Sequence, residues 1–226
     1  MPYSTSSTFF QKSLYWAIII RNLPHKHMPP ASCTKKSSKN VRILFLEQKA
    51  GHKTELQESL GWSAEPKHPL ICLPTGMNSS LGGPVLEKLL PGLLSLPLQI
   101  LILGKGTQTY GKLFSTLAKE RPHQVAIVKD TNEEKARMYA SADIALFLSN
   151  PTDTKELSYA LQCGAVPVAP VCEALENYNP VQEKGTGFLF ETTDEWQVFR
   201  SLVRSLETYQ FPYDWRTIQK QCVRTV

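Results

Sequence analysis

From residue 41 onward, short apolar runs alternate with stretches of helical spacing, roughly one pair every 20 to 25 residues. No other feature of the chain constrains its fold as much. Neighbouring parallel strands need a long crossover, usually a helix, and this rhythm supplies one each time. Strands are predicted at 41–46, 69–73, 98–103, 124–128, 143–148 and 165–168. Helices are predicted at 53–60, 110–119, 132–141 and 154–163, and Thr192-x-x-Glu195 reads as a capping box opening a helix that reaches Tyr209. The run at 98–103 is apolar nearly throughout, as a strand covered on both faces would be. The expected fold is α/β: a single Rossmann-like, doubly wound parallel sheet.

Charge divides the chain unevenly. Residues 1–40 hold Lys12, Arg21, Lys26, Lys35, Lys36 and Lys39 and no acid, whereas the whole chain of 226 residues is only +5. The expected division is a basic, Ser/Thr-rich, disordered tail over 1–40 and a folded lobe over 41–226. The nearly neutral body lacks the clustered positive face that phosphate backbones need, so no nucleic-acid partner is expected. No apolar run approaches membrane-spanning length, so no membrane partner is expected either. The five cysteines are odd in number, scattered and without a C-x-x-C, which argues against a zinc site and a disulfide framework and fits a reducing, cytoplasmic setting. The alternative location is the plastid, because an acid-poor, basic, Ser-rich tail also reads as a transit peptide.

In an open α/β sheet, ligands bind beyond the carboxyl ends of strands, against helix N-termini. Two loops fall there. The first, Leu103-Gly104-Lys105-Gly106-Thr107, is a small-residue turn that matches neither a P-loop nor G-x-G-x-x-G. The second, 149–156, places Thr152 or Asp153 as an N-cap, with Asp153 and Glu156 as a D-x-x-E capping box. Each loop has two readings: a tight turn or an anion site for the first, a self-capped helix or an anion site for the second. The histidines show no ligand spacing, and no nucleophile–base arrangement appears. Asn78-Ser-Ser80 is a glycosylation sequon whose meaning depends on secretion.

Several segments, read in order, resemble the C-terminal lobe of glycogen and starch synthases, retaining GT-B glucosyltransferases that use ADP-glucose. Residues 53–61 followed by His68-Pro-Leu-Ile71 resemble the family's lead into its first strand. Leu98 to Gly106 is similar to V-x-L-V-x-L-G-x-G, and Arg137-Met-Tyr-Ala-Ser-Ala-Asp143 to R-I-Y-A-x-A-D. Tyr159-Ala-Leu-Gln-Cys-Gly-Ala-Val-Pro-Val168 resembles Y-A-L-R-Y-G-T-V-P-V. Gly185-Thr-Gly-Phe188 and Trp215-Arg-Thr-Ile-Gln219 match a closing G-T-G-F and W-R-x-L-Q. The matches are colinear over residues 48–222.

The resemblance implies one lobe of a GT-B fold and a family reaction that transfers glucose from ADP-glucose to an α-1,4-glucan, with no cofactor and no metal. By position, it implies nucleotide-sugar contacts at Gly104, Gly106, Thr152, Asp153, Thr154 and Lys155. Departures from the pattern fall on ligand loops. The family's S-R-L-x-x-Q-K-G, whose Arg and Lys contact the donor diphosphate, corresponds to Thr75-Gly-Met-Asn-Ser-Ser-Leu-Gly82, with Gly76 for the Arg and Leu81 for the Lys. Gly and Leu cannot replace charge-assisted partners. The acidic F-E-P-C-G-L-T-Q loop corresponds to residues 150–157, and the T-G-G-L glycines to Cys172-Glu-Ala-Leu175. The Tyr of the family's G-Y-D-E turn corresponds to Asp130. No catalytic residue is therefore assigned, and residues 1–40 are too few for an N-terminal lobe. The expected partners are ADP-glucose or a glucan, with an N-terminal lobe or an intact synthase. The expectation is a chain inactive by itself; the alternative is a non-catalytic binding or regulatory module derived from a synthase.

Overall fold

A computed structural model describes residues 39–152 and 154–226, with side chains from residue 43 onward. The tail over 1–38 lies outside the described residues. The described chain runs α1 (Lys39–Ser59), β1 (Leu70–Leu73), a 3₁₀ turn (Ser79–Leu81), α2 (Gly83–Leu94), β2 (Gln99–Leu103), α3 (Gln108–Glu120) and β3 (Val125–Val128). It continues through α4 (Asn132–Ser141), β4 (Ile144–Leu146), α5 (Lys155–Gln162), β5 (Val166–Pro170), β6 (Phe188–Phe190), α6 (Glu195–Tyr209) and α7 (Pro212–Thr225).

The six strands form one sheet in the order β3-β2-β1-β4-β5-β6, every pairing parallel. This is the doubly wound order, and the direction of winding reverses between β1 and β4. In β1 and β2 every residue is buried, because helices cover both faces and paired strands flank both edges. On one face α1 packs on α4 and α7, and α5 on α7; on the other, α2 meets α6. Among the described residues no helix is long and apolar enough to cross a membrane.

The strand expected at 41–46 is instead part of helix α1. Phe45, Leu46, Lys49, Lys53, Leu56 and Gln57 are its buried residues, which is helical spacing with two lysines on the inner face. Lys49 Nζ donates to the carbonyl oxygens of Tyr139, Ala140 and Cys163, at the C-terminal ends of α4 and α5. A cation there complements two helix dipoles at once. The capping box at Thr192 is also corrected. Asp194 is the N-cap of α6, its carboxylate accepting from the N–H groups of Trp196 and Gln197, while Thr192 Oγ1 donates to Asp194. Among the described cysteines, Cys72, Cys172 and Cys222 are free thiols.

Candidate functional site

The reversal between β1 and β4 opens a crevice at their carboxyl ends, where ligands of doubly wound sheets bind. Three loops line it: 74–82 after β1, 104–107 after β2 and 147–154 after β4. The first is the central one, since the other two adjoin it from opposite sides.

The loops after β1 and β2 are zipped together. Met77 N–H donates to the Lys105 carbonyl at 2.8 Å, and Thr107 N–H to the Met77 carbonyl at 3.2 Å. Met77 and Gly106 form a parallel bridge that prolongs the β1–β2 ladder beyond its strands. The close approach explains two glycines. Gly76 has φ 71°, and a Cβ there would overlap the Lys105 carbonyl oxygen; Gly106 has φ 152°, and a Cβ there would overlap the Met77 carbonyl oxygen. Both conformations favour glycine in any case. Gly104 sits on the β2–β3 side, its N–H donating to Val128 O at 2.7 Å.

Helix α2 begins in the crevice with its N-terminus turned to internal partners. Gly83 N–H donates to the Asn78 carbonyl at 3.0 Å, Pro84 has no N–H, and Val85 and Leu86 donate back to Gly82 O. Asn78 Oδ1 accepts from Leu81 N–H and Ser80 Oγ, both at 2.8 Å, which employs the sequon asparagine as a turn cap. From the loop after β4, Leu148 presses against Gly82, and from α3 the Tyr110 ring lies against Gly83. Met77, Leu148 and Tyr110 are all buried. Buried apolar side chains and internally bonded N–H groups thus meet where the β1–α2 loop enters α2.

The loop after β4 caps its own helix. The N-cap of α5 is Thr154, rather than Thr152 or Asp153. Its Oγ1 accepts from Leu157 N–H at 3.2 Å and donates to Pro151 O at 2.7 Å. Thr152 N–H donates to Asn150 Oδ1 at 2.9 Å, and Thr152 Oγ1 is buried with no partner. Lys155 is exposed, Glu156 supplies the negative charge in the first turn, and Asp153 lies outside the described residues. Beyond β3, Lys135 lies 2.8 Å from Asp130, and its hydrogen bond, aided by the charge of Lys105, holds that carboxyl below its usual range. Among the described residues no cluster of His, Cys, Asp or Glu could hold a metal ion.

The described candidates lie on two loops that flank the β1–α2 loop, Gly104 and Gly106 after β2 and Thr152, Thr154 and Lys155 after β4. Sequence reasoning missed the residues that close it, Asn78, Gly82, Tyr110 and Leu148. The Gly82-Gly83-Pro84 run was the available signal, since adjacent glycines before a helix mark close approach by neighbouring groups.

No family profile matches the chain. Among curated proteins, the glycogen synthases of Caldicellulosiruptor saccharolyticus and Petrotoga mobilis are each 30% identical over 186 residues, which is 79% of this chain and 39% and 38% of theirs. The chain thus spans about two fifths of the length of the curated relatives it matches. Among solved structures, the catalytic domain of starch synthase IV from Arabidopsis thaliana, bound to ADP and acarbose, superposes with a TM-score of 0.66 at 22% identity, covering 79% of this chain and 39% of that one. HepE of Anabaena, in complex with UDP and glucose, gives a TM-score of 0.55 at 13% identity over 77% of this chain and 47% of that one.

Proposed function

Since this chain is a relative of the glycogen synthases and carries one Rossmann-like lobe of a GT-B glycosyltransferase, we propose that it derives from their nucleotide-sugar-binding lobe and by itself transfers no glucose. The family reaction moves glucose from ADP-glucose to an α-1,4-glucan. The residues that would face the donor are Gly104, Gly106, Thr152, Asp153, Thr154 and Lys155.

One observation carries the reading. Gly76 stands where the family resemblance expects an arginine against the donor diphosphate. Its backbone at φ 71° against Lys105 O leaves no room for any side chain. The missing charge is thus built into the path of the backbone. Leu81, at the matching lysine position, supplies no cation either, and the N-terminus of α2 is already engaged by Asn78. A diphosphate desolvated here would lack the charge-assisted hydrogen bonds that make such sites tight.

Calorimetry with ADP-glucose checks this directly: the expected dissociation constant is about millimolar or weaker. Labelled ADP-glucose incubated with glycogen and the chain is expected to give no incorporation. Micromolar affinity, or incorporation by the chain alone, would reject the reading.

The same Gly76 geometry is met equally by a second reading, a binding or regulatory module that acts on an intact synthase. Adding the chain to an intact synthase separates the two, because a module changes that enzyme's rate or sediments with it and an idle lobe does neither. For location we propose the cytoplasm, with the plastid as the alternative if residues 1–40 act as an import segment. A fluorescent fusion with and without those residues distinguishes the two.

A further inference from the structure

We propose that His52 is a pH-sensitive catch on helix α1: protonation of its ring in mildly acidic medium loosens α1 from α4. The ring stacks on Phe45 two helical turns away, with centroids 5.2 Å apart and planes inclined by 25°. Its Nε2 is buried with no hydrogen-bond partner, while Nδ1 faces Glu55 Oε2 at 4.0 Å. The His52 carbonyl is itself a junction with α4, accepting from Ser141 Oγ at 2.9 Å.

Whichever nitrogen bears the hydrogen in the neutral ring, the cation must place one on Nε2. A charged, buried N–H without an acceptor is strongly disfavoured, and the ring has to move toward water to find one. That movement gives up the Phe45 stack and strains the join to Ser141. The surrounding charges offer little relief. On α1 itself, Lys49 is a buried cation one turn away and Glu55 is the one carboxylate facing the ring. On α4, Arg137 is turned to Glu134 and Ser59. On α7, Arg216 donates to Leu46 O. Lys53 is committed to Asp143. Burial foremost, and the nearby Lys49 charge in addition, hold the imidazole below its ordinary 6.5 against the opposing pull of Glu55. With the folded value depressed, the unfolded chain takes up its proton first as the pH falls, so stability drops below about 6.5.

Two measurements test the catch. In the wild-type chain, the His52 ring protons followed by NMR are expected to titrate below the ordinary histidine value of about 6.5. Amide protection along α1 should fall in the same pH range. In His52→Phe, which keeps an aromatic ring against Phe45, the loss of Tm between about pH 7 and pH 5 should be smaller than in the wild type. Titration of His52 at or above about 6.5, or parallel Tm curves for the two proteins, would overturn the proposal. If the variant fails to fold, the wild-type titration still decides.

Discussion

Lys53 Nζ lies 2.6 Å from Asp143 Oδ2 at the N-terminal edge of the sheet, with 2% and 9% of the two side chains exposed. The same carboxylate oxygen accepts from Leu70 N–H, where β1 begins, at 2.9 Å. The ammonium also donates to Pro66 O and Tyr209 Oη, each at 3.0 Å, and to His68 O. One buried pair thus fastens α1 and the end of α6 to the starts of β1 and β4. Removing either partner leaves the other charge buried and unpaired, so Asp143→Asn or Lys53→Met is expected to destabilise by about 3–5 kcal/mol. The double variant Lys53→Met, Asp143→Leu should recover only part of that loss, because Leu70 N–H and the His68 carbonyl lose their partners. Urea midpoints measure both, and an unshifted Asp143→Asn midpoint would remove the pair from any structural role.

Gly76→Arg puts back the family's cation without its backbone. The left-handed conformation disfavours a side chain by about 1–2 kcal/mol, and overlap with the Lys105 carbonyl adds to that. The expected outcome is a lower Tm and ADP-glucose binding that stays weak in calorimetry, even when combined with Leu81→Lys. A gain of a hundredfold or more in affinity would mean that the loop opens readily and that charge alone is lacking.

The alternation of apolar runs with helical stretches was enough to read the sheet, since a parallel sheet buried on both faces leaves uninterrupted apolar runs such as residues 100–103. The first element misled for a physical reason. Its inner face carries Lys49 and Lys53, so the helical stripe looks polar in sequence, and the run at 41–46 stands out as a strand instead. Short apolar runs do not separate the two states by periodicity. At the crevice, the loops were legible by position, but their closure was not. Hydrogen bonds such as Gly83 N–H to Asn78 O join residues whose partnership depends on the turn the backbone takes. Asp143 was legible only as part of a family-like string; its role in a buried ion pair appears once Lys53 is seen to point inward.

Thr154 separates a self-capped helix from a ligand loop. Thr154→Ala removes the acceptor for Leu157 N–H and the donor to Pro151 O, and should lower stability by about 0.5–2 kcal/mol. Lys155→Ala, at an exposed position, is expected to stay within about 0.5 kcal/mol. Thermal melts of both variants test the pattern. A larger loss at Lys155 than at Thr154 would point to a role for the lysine that the helix cap does not explain.

Three buried groups set opposing slopes at alkaline pH. Burial lowers Lys49 from 10.5 to about 8, against the pull of Asp143. The unfolded chain therefore holds this proton between about 8 and 10.5 while the folded chain has released it, and stability rises with pH across that window. Burial raises Cys72 and Cys222 from 9.0 to about 12 each. There the folded chain holds the proton and the unfolded chain has lost it, so above about 9 each thiol makes stability fall as pH rises. The lysine acts alone until the thiols begin to titrate in the unfolded state, which places the crest of the Tm curve near pH 9. Lys49→Met should flatten the climb from about 8 to 9 and steepen the fall from 9 to about 10.5, where the lysine no longer opposes the thiols. A wild-type Tm that declines steadily from pH 8 would show that the three carbonyls around Lys49 Nζ hold its proton as firmly as water does.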